Sequence, residues 1–234
     1  MVKKTFYINL DTAKERRNKF KDKNFTRWKA TSREEVPEYI NKKMVSMYNF
    51  PKNSHLARCG CFLSHIKLLE HIVENKLNDV LILEDDAIKE NDLPIDYPKD
   101  SITYVGGFLY NRKMMDSKPP KIEHQVGINL CPPDLRILGT LAYIVPRWQV
   151  AFHILNRIYN ENRYKAIDIM YGNIGIKQYY NYPASFREEG SISQINNKNK
   201  IMTEEYKFIN YNKYANTLRV GNCEQKEENW EKIN

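Results

Sequence analysis

An α/β fold, with a mixed central sheet flanked by helices, is what this sequence predicts, and three observations carry the prediction. Val80-Leu81-Ile82-Leu83 is a continuous apolar run of strand length, the pattern of a central strand covered on both faces. Just before it, from about Gly60 to Lys76, Phe62, Leu63, Ile66, Leu69, Ile72 and Val73 recur at helical spacing on one broad face. Other strand-like and helix-like segments alternate along the chain, the order of a layered α/β protein.

Taken in order, Phe6-Tyr7-Ile8-Asn9-Leu10 is short, apolar and aromatic and reads as a buried strand. Asp11 or Thr12 can cap a charged helix from about Ala13 to Lys23. Phe25 to Ala30 reads as a second strand. The helix that starts near Gly60 is broken by Asn78-Asp79, and the apolar strand follows. Ile102 to Val105 is another strand, stopped by Gly106-Gly107. Asn111 to Lys121 is polar, contains Pro119-Pro120, and is expected to be a mobile loop. Leu141 to Val145 is a strand, Pro146 leads into a helix from about Arg147 to Glu161, and Gln178 to Tyr182 is another strand. Beyond Asn196 the tail is polar and aromatic without a period.

The 234 residues suffice for one domain spanning 1–234 with a real core. Hydrophobic residues make up 41% and charged residues 28%, which is the balance of a globular chain rather than a disordered one. The formal net charge of +8, much of it between Lys3 and Lys29, favours anionic partners. No nucleic-acid motif accompanies it, so nucleic acid is not an expected partner. No apolar run approaches the roughly 20 residues that span a bilayer, and the N-terminal segment lacks a signal-peptide core. The expectation is a cytoplasmic protein with at most peripheral membrane contact through its basic residues. Cys59, Cys61, Cys131 and Cys223 show no zinc-binding spacing and read as reduced thiols.

The strand at Val80 ends in Glu84-Asp85-Asp86. Adjacent carboxylates raise one another's pKa, and a divalent cation removes that cost. Ligands of open α/β sheets bind beyond the carboxyl ends of strands, where these acids stand. Strand alternation points Glu84 and Asp86 one way and Asp85 the other. Two acids with a single spacer suit Mg²⁺ or Mn²⁺, which take oxygen ligands and leave room for phosphate and water. The alternative is a solvated turn.

Several segments, in order, resemble glycosyltransferase family 25, which includes lipooligosaccharide and collagen galactosyltransferases. Phe6 to Asp11 with Arg16-Arg17 looks like its opening strand and basic helix, and Gly60-Cys61-Phe62-Leu63-Ser64-His65 like its GCxxSH helix start. Leu81 to Asp86 looks like its LxxEDD strand, Thr140 to Val145 like a later strand, and Ile167-Asp168 like its VD step. Tyr182-Pro183 and Ser191-Ile192-Ser193 resemble the closing segment. The matches run from about residue 5 to 195. Arg58 departs from the pattern, where the family often carries an acid. The resemblance implies a GT-A-like nucleotide-sugar-binding fold, a UDP-sugar donor, usually UDP-galactose, and a divalent metal. UDP-glucose and a non-catalytic sugar- or nucleotide-binding scaffold are the alternatives.

Residue roles follow from that resemblance. Asp86 is the first metal ligand, with Glu84 or Asp85 on the metal or the donor ribose. Family members that invert the anomeric centre need a base for the acceptor hydroxyl. Asp168 is the candidate, and a helix N-cap is its structural alternative. Glu188 and Glu189 are runners-up, although Glu-Glu-Gly also suits an exposed turn. His65 and Ser64 either orient the donor or serve packing and capping. Asn9, Asp11 and Arg16 stand on the expected uridine side, with Arg16 and Arg17 toward phosphate. Tyr143 and Tyr182 either stack on a sugar or belong to the core. The acceptor is a glycan, lipid-linked or protein hydroxyl.

Overall fold

The computed structural model describes residues 1–21, 23–45, 52–111, 124–133 and 135–189. The expected loop from Asn111 to Lys121 therefore lies almost wholly outside the described residues, as do Ser191-Ile192-Ser193, the tail and Cys223. Along the chain run β1 (Lys4–Asn9), α1 (Lys14–Asn18), β2 (Thr26–Lys29), α2 (Glu38–Lys43), α3 (Lys52–Glu74) and β3 (Val80–Glu84). Then come β4 (Ala87–Lys89), β5 (Ile102–Asn111), β6 (Gly127–Leu130), β7 (Leu135–Val145), α4 (Trp148–Tyr159), α5 (Ile167–Asn173), β8 (Gln178–Tyr182) and β9 (Phe186–Glu188).

Seven strands form one mixed sheet in the order β2-β1-β3-β7-β5-β8-β6, and β4 pairs with β9 in a separate two-stranded ribbon. β1 runs parallel to both β2 and β3, so their carboxyl ends converge at one edge of the sheet. β7 is antiparallel to both β3 and β5. The result is the mixed α/β sheet with flanking helices that the sequence predicts.

β3 is covered on both faces. Val80 and Ile82 join a cluster with Phe6, Phe62, Leu69, Ile72 and Ile154, while Leu81 and Leu83 join Tyr7, Phe20, Leu141 and Ile144 on the other side. Each such side chain contributes roughly 1.5–3 kcal/mol by leaving water. α4 buries Val150, Ala151, Ile154, Leu155 and Ile158, one face at helical spacing.

Four boundaries differ from expectation, each for a physical reason. The α1 helix stops at Asn18 because Phe20 turns inward and stacks on Tyr7 at 4.4 Å. α3 begins at Lys52, well before Gly60. Gly60 is an interior residue whose missing side chain lets the helix approach the preceding loop: a Cβ there would lie 2.5 Å from the Thr31 carbonyl oxygen. β5 does not stop at Gly106-Gly107. The pair forms an irregularity against β7, with Gly107 at φ +124 and a Cβ there only 2.9 Å from the Gly139 carbonyl. β7 starts six residues earlier than expected, at Leu135, because Gly139 at φ +77 lets it bend and continue. The short elements α2, β4, β6 and β9 carry too few apolar residues to signal themselves in the sequence. No helix among the described residues is long and apolar enough to cross a membrane.

Gly60→Ala should destabilise the protein by about 1–3 kcal/mol, since backbone rather than a flexible side chain meets the new methyl. Urea unfolding followed by circular dichroism checks this. An unchanged midpoint would show that the helix and the Thr31 loop separate at little cost.

Candidate active site

The parallel register of β1 and β3 pairs Ile8 with Glu84 and brings the next residues, Asn9 and Asp85, side by side at the carboxyl edge. Asn9 is 1% exposed and its amide is fully engaged. It donates to Asp85 Oδ2 at 2.7 Å and to the Ala13 carbonyl at 3.1 Å. Its oxygen accepts from Arg17 Nε and Arg27 Nε. Arg16 completes the arrangement with Nη1 2.7 Å from Asp85 Oδ1 and 3.5 Å from Asp86 Oδ2. Burial works against the Arg16 charge, but Asp85 more than restores it, so its pKa is held above the ordinary value. Asp11 is at the exposed rim and is held low by Arg27, 2.5 Å away.

Glu84 and Asp85 diverge, as strand alternation requires. Glu84 faces β7 and α3: Thr140 Oγ1 donates to its Oε1 at 2.5 Å, and His65 Nε2 lies 3.5 Å from the same oxygen. Asp86 departs from the expectation that it shares Glu84's side alone. β3 ends at Glu84, the alternation ends with it, and Asp86 sits in the following turn within reach of Arg16.

Asp86 is the least compensated acid of the three, with Arg16 3.5 Å from one oxygen alone. Its Oδ1 is buried with no hydrogen-bond partner. Burial, then the charges of Glu84 and Glu188, push its pKa up to about 7 against the pull of Arg16. Glu188 arrives on β9, whose Glu188 pairs with Ala87 of β4; the next amide, Glu189 N–H, donates to the Asp86 carbonyl at 2.8 Å. Glu188 thus stands in a strand rather than an exposed turn. Glu189 forms an ion pair with Lys19.

Asp168 lies in the first turn of α5, two residues past the Ala166 cap, so it is not the N-cap. Its Oδ2 accepts from Gly139 N–H at 3.0 Å and its Oδ1 from Ile169 N–H at 2.8 Å. Burial still raises its pKa, only partly opposed by those two donors. The Cys61 thiol is pushed well up by burial and then by the charges of Glu84, Asp168 and Asp86, and its sulfur lies within 4.8 Å of a Glu84 oxygen.

Ser64 is engaged within the scaffold. Its hydroxyl donates to the Gly60 carbonyl at 2.7 Å and accepts from Thr31 N–H at 2.8 Å. Arg17 also turns inward, to Asn9 and the Asp11 carbonyl. Tyr143 is a core residue, fully buried with its hydroxyl 2.9 Å from His65 Nδ1 and 3.1 Å from the Tyr171 hydroxyl. Tyr182 is half-buried and stacks on His124 at 4.7 Å. Thr140, Gly139 and Cys61 were invisible as site residues in the sequence. Cys61 and Thr140 stand in segments that resemble the family, but neither carries a charge that marks it as part of the site, and only the sheet order brings β7 next to β3.

The parallel strand ends gather three carboxylates, one of them with a buried, unpartnered oxygen, where open α/β sheets place their ligands. The sequence model of glycosyltransferase family 25 (LPS biosynthesis protein) matches residues 2–170, and the chain belongs to that family. It is therefore a glycosyltransferase-family protein, and the matched span contains every site residue named above except those on β8, on β9 and in Tyr171 and Glu189. No curated protein matches the chain.

The Asp86 environment has a measurable consequence. A carboxyl whose pKa is higher folded than unfolded binds its proton more tightly in the folded state. Its contribution to stability falls as pH rises from the unfolded value, about 4, to about 7, and stays least favourable above that. With EDTA present, Asp86→Asn should be more stable than wild type at pH 8 by more than about 1 kcal/mol. The gap should close toward pH 4. A pH-independent gap in denaturation midpoints would mean that Asp86 is already charge-compensated.

Proposed function

We propose that the protein transfers a hexose, galactose in the first instance, from a UDP-sugar to a hydroxyl of a glycan or other acceptor, with metal assistance and inversion at the anomeric carbon. The observation that carries this reading is the Asp86 carboxylate oxygen, buried and without a partner at the end of β3. Hard oxygen donors from Asp86 and Glu84, with Glu188 close by, fit Mn²⁺ or Mg²⁺. When bound, such a cation supplies Lewis-acid stabilisation of charge on the departing diphosphate.

The chain's own residues then divide the work. Asp85, fixed by Asn9 and Arg16, holds the basic helix against the strand end. That contact places the Arg16 guanidinium beside the acids, where it adds positive charge on the donor-phosphate side. Asp11, at the rim with Arg27 and Lys29, flanks the same edge. Thr140 holds Glu84, and His65, oriented by Tyr143, lines the cleft beside it. Ser64 supports the donor side indirectly, by clamping α3 to the Thr31 loop.

Asp168 is the base for the acceptor hydroxyl. Burial raises its proton affinity toward the working range, while the Gly139 and Ile169 amides hold it in one orientation. Glu188 is the second choice, since its charge acts on both Asp86 and Arg16 and it would serve the metal as readily as the acceptor. The family's description as LPS biosynthesis protein supports a lipid-linked glycan acceptor at the cytoplasmic membrane surface. The net charge of +8 favours such an anionic surface.

Purified protein incubated with a panel of UDP-sugars should release UDP from one of them with Mn²⁺ and not with EDTA. UDP binding with no release from any donor, even with lipid-linked glycans added, would favour a binding scaffold. Asp86→Ala should abolish release while leaving the circular dichroism spectrum unchanged. Asp168→Asn should keep UDP affinity within a factor of about two and lower turnover about a hundred- to ten-thousand-fold. Lost UDP binding in Asp168→Asn would instead make this residue a donor ligand.

A further inference from the structure

Cys61 stands beside the acidic cleft with no part in the proposed transfer. It lies four residues before His65 on α3, so the two side chains share one helix face. Glu84 comes to the same point from β3. One ligating atom from each of Cys61, His65 and Glu84 lies within 4.8 Å of the others. His65 is 1% exposed, and its Nε2, 3.5 Å from Glu84 Oε1, has no hydrogen-bond partner. A buried ring nitrogen left unsatisfied is costly, and it is aimed into this cluster.

We propose that Cys61, His65 and Glu84 form a three-residue site for a borderline-soft divalent cation of the zinc class, with water in the fourth position. Thiolate and imidazole select Zn²⁺ over Mg²⁺ and Mn²⁺, and three protein ligands with an open position are an established zinc arrangement. Tetrahedral ligand atoms lie about 3.5 Å apart, so side-chain rotations that draw these three together by about 1 Å complete the site. The outer contacts are in place: the Tyr143 hydroxyl meets His65 Nδ1, and Thr140 donates to Glu84. On binding, the Cys61 S–H bond breaks, a metal–sulfur bond forms and the proton passes to solvent, with no change of oxidation state.

Cys59 is the internal comparison. Its sulfur lies 3.8 Å from His55 Nε2 on the same helix, but no carboxylate among the described residues completes a ligand set there. Because Glu84 is shared with the hard-cation pair, zinc occupancy withdraws it and suppresses transfer. That consequence rests on the function proposed above, whereas the site itself does not.

The test is titration of the metal-free full chain with Co²⁺ as a zinc surrogate, read by thiolate-to-cobalt charge-transfer absorption and by displacement with Zn²⁺. One equivalent should bind with a thiolate band. Cys61→Ser should lose the band and weaken Zn²⁺ binding at least about tenfold, whereas Cys59→Ser should keep both. Absence of a thiolate band in wild type, or a band that survives Cys61→Ser, overturns the site. In the UDP-release assay, Zn²⁺ added over Mn²⁺ should inhibit wild type and spare Cys61→Ser. A Cys61-dependent cobalt band in a protein that releases no UDP would support the cation site and sink the transfer reading alone.

Discussion

Carboxylates crowded at the end of a buried strand are tolerated only where opposite charge answers them, and here the answer is uneven. Asp85 has a full one, with Asn9 on one oxygen and Arg16 on the other. Glu84 accepts a hydroxyl proton from Thr140. Asp86 receives a distant guanidinium on one oxygen and nothing on the other. The three neighbours in sequence therefore differ in chemistry: one is a structural anchor, one a wall of the cleft and one a stored electrostatic debt. The rest of the site follows from which side of the sheet supplies each counter-group.

α3 serves that division twice. Its Gly60 and Ser64 fasten the helix to the loop after β2, by close approach and by a shared hydroxyl. One residue further on, His65 turns from that loop toward β3 and β7. The two functions occupy adjacent positions because consecutive helical residues face directions about a quarter-turn apart. The GCxxSH pattern thus combines a packing device, Gly60 and Ser64, with a polar one, Cys61 and His65, and only the second pair looks into the cleft.

How much of this was legible in the sequence depends on the reach of each interaction. The apolar run at Val80 with its terminal acids, the periodic face of α3 and the helix after Pro146 are local patterns, and each stands where the residues put it. The extent of β5 and β7 was not legible, because glycines that end a strand and glycines that let two strands bulge past each other look alike in one dimension. Nor could the sequence tell that Asn9 and Arg17 turn inward. Asn9 meets Asp85, just past the end of β3, and Arg27 on β2 through the parallel register of β1 with its two neighbours, and Arg17 follows by donating to the Asn9 oxygen. Asp168 was singled out by its resemblance to a family step, yet what holds it is Gly139, a residue with no side chain to notice.

The ribbon of β4 and β9 has a temporal meaning. β4 leaves the ribosome immediately after the acids, but its partner strand is made only after β5, β7, both later helices and β8. A nascent chain can assemble β1, α3 and β3 early, since those elements are near in sequence, while the clasp on the Asp86 carbonyl must wait for Glu189. Chains interrupted before β9 would thus carry a largely built sheet with an unfinished mouth, which β9, the last strand among the described residues, closes.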